Sequence, residues 1–354
     1  MLGWLGVFCC AANALGQLNL RPASDYDLQG TSTYVDTQAG VVHVVEPGEA
    51  HANQSGGYID SNGQYINPQM LPPHSVMQQQ HFGASPDSYE WQVLPIGAIY
   101  RPYLADVKAS RLELLPLYEK DDNTLLDGTL GGRFGLIRYG SKNPIFPEGF
   151  QIDIEGSAQV RLDPNEDFDL RSTDYRAGLP LTWGYNRWRT KLAYYHISSH
   201  AGDEFLLKNL NTFQRINYVR DEILFGQSYF LDEAWRIYGE VGYAFNTDGG
   251  AEPLELNFGV EYSPIQPVRI GSRTLGRQLP NNVVSGPFLA FHGNLREELN
   301  YSGNVTAQSG WQWRNMTNGQ LLRIGGHIFS GSSPQYEFFT TYELQMGFGF
   351  WYDY

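Results

Sequence analysis

The residues of this 354-residue sequence best suited to chemistry lie together in the run Tyr194-Tyr195-His196-Ile197-Ser198-Ser199-His200-Ala201-Gly202-Asp203-Glu204-Phe205. If the segment is a strand, His196 and Ser198 are two apart and share a face. An imidazole so placed can take the proton of a hydroxyl as it attacks an ester carbonyl, the chemistry of a Ser/His hydrolase. Asp203 and Glu204 follow at once, and their oxygens suit a hard cation. Each feature also has a plainer reading. A His-x-Ser pair serves equally as a polar girdle or loop anchor, and an acidic loop is ordinarily just solvated.

The elements that must position these residues read as β-strands. Between Phe150 and Arg161 the period is two: Phe150, Ile152, Ile154, Ala158 and Val160 take one face, and Gln151, Asp153, Glu155, Ser157, Gln159 and Arg161 take the other. The pattern recurs. Trp235, Ile237, Val241, Tyr243 and Phe245 oppose Arg236, Tyr238, Glu240 and Ala244; Leu289, Phe291 and Leu295 oppose His292, Asn294 and Arg296. About twelve such strands are expected, beginning near Arg111, Leu130, Phe150, Thr173, Arg187, Arg215, Trp235, Pro253, Pro287, Gly303, Gln320 and Thr341. An even number returns both ends of the domain to one side. Tight links at 185–186 and 231–234 fall on that side, and longer links at 199–214 and 330–340 on the other. The long stretch 264–285 breaks this rule and is expected only to shield a strand end.

The last segment separates a membrane barrel from a soluble sandwich. Tyr342, Leu344, Met346, Phe348, Phe350, Tyr352 and Tyr354 form one stripe, which a hydrocarbon layer accommodates and water does not. The opposite faces collect residues such as Asp153, Glu155, Arg161, Arg220, Glu222, Arg236, Glu240, Glu261 and Arg314, whose mixed signs favour mutual pairing and a narrow or closed lumen. On this register His196 and Ser198 look outward, with Trp188, Leu192 and Tyr194. Asp221 conflicts with it, since it falls on the lipid side with Ile223, and either a bulge or the loop on the Asn217 side is expected to absorb it.

Composition agrees. Aromatic residues make up 14% of the chain, with 23 Tyr and 39 Gly, while charged residues are only 18%. The net charge of -14 excludes a nucleic-acid partner, which needs clustered Lys and Arg. Residues 1–16 have the apolar core and small-x-small site of a signal peptide, which would take with it both cysteines, Cys9 and Cys10. Residues 17–90, rich in Gln, Ser, Gly and Asn, are expected to form a disordered periplasmic segment. Residues 91–354 would form the barrel. No stretch after the leader reaches the ~18 apolar residues of a membrane helix.

A His-x-Ser pair on an outer strand, followed by an Asn on the next, is similar to outer-membrane phospholipase A. That resemblance implies Ser198 as nucleophile, His196 as base, Asn217 as the group that orients it, and calcium at the oxyanion site. The sequence departs from that family in following its Ser with Ser199 and His200, and in lacking a Ser-Arg-Ser motif. Over 91–354 the chain more closely resembles the bacterial family of domain of unknown function 1207. The carriers are Leu94-Pro95-Ile96-Gly97, Gly131-Gly132-Arg133-Phe134-Gly135, Arg215-Ile216-Asn217-Tyr218-Val219-Arg220-Asp221-Glu222, Gly310-Trp311-Gln312-Trp313 and the end Gly347-Phe348-Gly349-Phe350-Trp351-Tyr352, with the His196 run.

The expectation is therefore an all-β protein, an antiparallel transmembrane β-barrel of about 12 strands in the bacterial outer membrane. Its partners would be membrane lipid and the outer-membrane assembly machinery. Its activity is unassigned, structural or weakly pore-forming, with an acyl-ester hydrolase of Ser198, His196 and Asn217 as the alternative. A soluble exported β-protein is a third reading. No cofactor is expected under the first reading, and calcium at Asp203 and Glu204 under the second.

Overall fold

The computed structural model describes residues 82–84 and 88–354, and the backbone alone of four short strands before them. Those four, Thr33–Asp36 with Val41–Val44 and Tyr58–Ile59 with Tyr65–Ile66, form two antiparallel hairpins. The leader expected at 1–16 lies outside the described residues, as does most of the segment expected at 17–90. The folded body is already established before Trp91, because Phe82 packs on Phe146 and Phe230, and the Gly83 N–H donates to Glu148 at 2.8 Å.

Twelve antiparallel strands then close into a barrel. In chain order they are β1 (Leu112–Glu119), β2 (Asn123–Gly140), β3 (Gly149–Asp163), β4 (Asp169–Tyr185), β5 (Trp188–Ala201), β6 (Val219–Phe230), β7 (Trp235–Asp248), β8 (Leu254–Tyr262), β9 (Val283–Arg296), β10 (Ser302–Asn315), β11 (Leu321–Ser332) and β12 (Tyr342–Asp353). Each pairs with the next. Closure comes from β12 returning to β1, with Tyr352 opposite Leu112 and Gln345 opposite Glu119. No edge is left along the ring, so the ladder satisfies its own backbone donors and acceptors, as a segment surrounded by hydrocarbon requires.

Alternation along each strand sorts the side chains between two environments. Every strand turns at least one large apolar residue outward, among them Leu114, Phe134, Ile154, Leu179, Leu192, Phe225, Val241, Phe258, Leu289, Val305, Ile328 and Phe348. In water so continuous an apolar belt would be a severe liability. Among the described residues no helix is long and apolar enough to cross a membrane.

The lumen is filled by ion pairs. Arg133 meets Asp153 at 2.6 Å, Arg176 meets Glu155 at 2.5 Å, and Lys191 meets Glu240 at 2.6 Å. Arg161 lies between Asp127 and Glu343, at 2.7 and 2.8 Å. Sign-mixing in the sequence is thus realised as pairing, which buried charge needs if it is not to be prohibitively costly.

A second filling was not anticipated. The short strand Glu90–Val93 and β1 both pair with β2, the former against Ile137–Gly140 and the latter against Asn123–Leu130. Between them the chain leaves the wall at Gly97, whose φ of +77° and approach to the Pro144 carbonyl leave no room for a Cβ, and residues 98–111 fold through the lumen. Across the interior, Tyr103 Oη donates to Glu240 at 2.6 Å and the Leu104 N–H to Glu261 at 2.5 Å; Lys108 pairs with Asp174. Leu104 and Ala105 pack in an apolar cluster with Leu115, Leu125, Phe288, Leu321 and Trp351. A strand-like sequence pattern gives no hint of this excursion, because its irregular backbone is satisfied by lumen side chains from distant strands.

The stretch 264–285 holds a small hairpin, Val268–Ile270 with Arg273–Leu275. The strand Arg277–Leu279 then pairs with the first residues of β9.

Candidate active site on the outward face of β5

β5 alternates strictly. Arg189, Lys191, Ala193, Tyr195, Ile197 and Ser199 are buried, while Trp188, Leu192, Tyr194, His196 and Ser198 lie on the outward side. The ladder places Asp221 of β6 directly opposite His196, and Val219 opposite Ser198. Cross-strand neighbours on one face lie close enough for their side chains to meet. Here they do, since His196 Nδ1 is 2.8 Å from Asp221 Oδ1.

Asp221 is a hub. It also accepts from Tyr194 Oη at 2.7 Å and, through its other oxygen, from Asn246 Nδ2 at 2.7 Å. These donors explain how a carboxylate survives on a face otherwise made of Ile223 and Phe225. Of the two devices expected there, a bulge is present, because β6 and β7 shift register between Asp221 and Glu222. Asp221 pairs with Asn246, whereas Glu222 pairs with Ala244. The extra residue, Phe245, is stacked on Tyr194 at 6.2 Å.

An ionised carboxylate only accepts hydrogen bonds, so His196 donates through Nδ1 and leaves Nε2 as the basic nitrogen. Two residues along a strand advance ~6.8 Å, a gap that a rotated imidazole and a serine side chain can bridge together. No hydrogen bond joins Ser198 to His196 among the described residues. Catalytic hydrogen bonds in empty sites are often long and tighten only with substrate. The imidazole is 41% exposed and the Asp221 side chain 15%.

The other sequence candidates are placed differently. Asn217 precedes β6 in a loop, exposed, with φ of +52°, and it is not brought to His196. Ladder register is the reason, since the residue facing the imidazole is four positions further on. Asp203 and Glu204 are exposed in the first turn of a six-residue helix, Asp203–Lys208. Among the described residues no group of three or more His, Cys, Asp or Glu converges to hold a metal. Ser199, next to Ser198 in sequence, points inward; it donates to Asp174, and its oxygen accepts the Glu337 N–H at 2.8 Å. The residue that sequence reasoning missed is Asp221. Its signal was present as a carboxylate out of place on an apolar face.

The family described as protein of unknown function (DUF1207) matches residues 59–354. The chain belongs to this family. The match takes in the whole barrel of this DUF1207 protein, the inner segment and the His196 strand. No curated protein matches the chain in sequence. Solved structures similar to it include outer membrane phospholipase A from Escherichia coli, at 12% identity and a TM-score of 0.45, covering 69% of this chain and 93% of that one. The Salmonella typhi outer membrane phospholipase dimer with bound calcium is 13% identical with a TM-score of 0.43, covering 68% and 90%. The KdgM porin is 8% identical with a TM-score of 0.33, covering 69% and 99%. The barrel described above rests on its own closed ladder and not on these likenesses.

Proposed function

We propose that this DUF1207 protein is an outer-membrane acyl-ester hydrolase whose centre, Ser198, His196 and Asp221, lies on the lipid-facing wall near the long-loop end. The observation that carries this reading is the 2.8 Å contact between His196 Nδ1 and Asp221 on the same face as Ser198. Asp221 fixes the imidazole; Nε2 accepts the Ser198 proton as Oγ attacks the carbonyl, and then returns it to the leaving alcohol. Water, activated by the same nitrogen, releases the acid from the acyl-serine. In this reading Asp221 takes the orienting role first assigned to Asn217. The outward position supports membrane lipid as the substrate class, because an ester in the bilayer reaches this face without entering the lumen.

A structural barrel without catalysis is the second reading, supported by the packed lumen; the same packing speaks against an open pore. The two separate in one assay. The full-length protein in non-ionic detergent should release fatty acid from dispersed phosphatidylcholine, and Ser198→Ala should abolish release while retaining heat-modifiable migration. No release by the wild type, or equal release by Ser198→Ala, removes the hydrolase.

A further inference from the structure

Beyond Ser198 the outward face of β5 carries a second polar group, at the long-loop rim. His200 is two residues further on, so it shares that face and stands ~6.8 Å along the strand. Arg215 Nη2 donates to its Nδ1 at 3.0 Å. A guanidinium only donates, so the imidazole carries its proton on Nε2 and offers that N–H as a further donor. The Tyr175 ring, 6.2 Å from the imidazole, flanks it from β4. Ser198 therefore lies between two pairs, His196 with Asp221 on one side and His200 with Arg215 on the other.

Arg215 differs from the neighbouring cations of this rim. Arg171 is paired with Asp122 at 2.7 Å, and Lys208 with Glu166 at 2.5 Å. Arg215 is exposed, and among the described residues no carboxylate comes within ion-pair distance of it. Glu337 lines the same cleft, but its Oε1 accepts the Ile216 N–H at 2.7 Å and its Oε2 is buried. Only one guanidinium nitrogen of Arg215 is engaged, on His200, and the other donors keep the planar fork that matches a phosphate. The cleft beside Arg215 measures about 660 Å³, with Thr212, Gln214, Thr340 and Thr341 as its polar wall and Phe213 and Phe338 as its apolar one. A phosphate held at Arg215 thus leaves room for the group it carries.

We propose that His200 and Arg215 bind the phosphate diester of a glycerophospholipid while one of its acyl esters lies at Ser198. The inference rests on the hydrolase reading and adds to it the residues that select the substrate. In such a lipid a short glycerol path separates the ester carbonyl from the phosphorus, and two strand positions separate Ser198 from His200, so one molecule can span both. Diacylglycerol has the same esters and no phosphate. It forfeits the charge-assisted contacts and is the poorer substrate.

The test has a kinetic arm and a binding arm, both on the full-length protein in non-ionic detergent. In the first, fatty-acid release is compared between dioleoylphosphatidylcholine and dioleoylglycerol. The wild type should favour the phospholipid ~10-fold or more in kcat/KM, and Arg215→Gln should lose that preference, chiefly through KM. In the second, Ser198→Ala is titrated calorimetrically with dihexanoylphosphatidylcholine, dihexanoylglycerol and inorganic phosphate. The short phospholipid should saturate one site and bind ~10-fold more tightly than the other two, and adding Arg215→Gln should bring it down to the level of dihexanoylglycerol. Free phosphate that binds as tightly as the phospholipid overturns the lipid assignment. Arg215-dependent phospholipid binding without fatty-acid release by the wild type removes the hydrolase and supports the head-group site. Fatty-acid release whose phospholipid preference is absent, or survives Arg215→Gln, overturns the head-group site and leaves the hydrolase.

Discussion

Ser198 and Ser199 are adjacent on one strand and have opposite fates. Ser199 faces the lumen, where its hydroxyl joins Asp174 to the Glu337 backbone and so ties β5 to the 333–341 loop. Ser198 faces outward, two positions from an imidazole that Asp221 holds. The same contrast runs along the wall: inside, ion pairs such as Arg133 with Asp153 and Arg161 with Asp127 and Glu343 hold charges in place; outside, apolar residues dominate and the cluster around Asp221 stands out. Where packing accounts for a polar group, no chemistry need be invoked. Where it does not, the group calls for a functional explanation.

The sharpest way to break this contrast is at Asp221. Asp221→Ala should lower fatty-acid release by ~10⁴-fold, the loss seen when a catalytic triad's orienting acid is neutralised, with little change in unfolding midpoint. Ser199→Ala should do the reverse, sparing the chemistry and loosening the loop. If both variants lose activity equally, the two faces do not differ in role.

Inside the barrel, Arg161→Ala should cost ~3–5 kcal/mol, because Asp127 and Glu343 would be left as buried carboxylates without their cation. Urea unfolding in detergent measures it. Phe288→Ala, in the lumen cluster around Leu104, should cost ~3 kcal/mol or more. Phe258→Ala, 42% exposed on the outer face, should cost far less in the same assay. Similar losses at the two phenylalanines would contradict the inside–outside division.

The smallest effect expected is one of pH. Glu337 lies in the 333–341 loop, where burial pushes its carboxyl above the usual range although the Ile216 N–H donates to it at 2.7 Å. A raised folded value favours the protonated form. Its contribution is therefore complete below the ordinary carboxylate range and is lost as pH rises through the raised value. Protection of the Ile216 amide, corrected for intrinsic exchange, should fall across that window in the wild type. In Glu337→Gln it should stay flat.

The alternation of Phe150 to Arg161 and of Trp235 to Phe245 sufficed to place strands, count them, assign their faces and mark Asp221 as out of place. It did so because side-chain direction in a strand depends only on parity. The Tyr342 to Tyr354 stripe likewise marked the outer face without reference to any neighbour. Two matters lay beyond local pattern. Residues 91–103 were read as entry into the folded domain, yet Tyr103, with Leu104 and Lys108 after it, lies in the interior, held by Glu240, Glu261 and Asp174 from strands far away in sequence. The partner of His196 was Asp221 and not Asn217, and only ladder register, with Ser198 opposite Val219, decided between them. Parity is written residue by residue in the chain, whereas register and lumen filling are set by which distant segments meet, and that is fixed only when the ring closes.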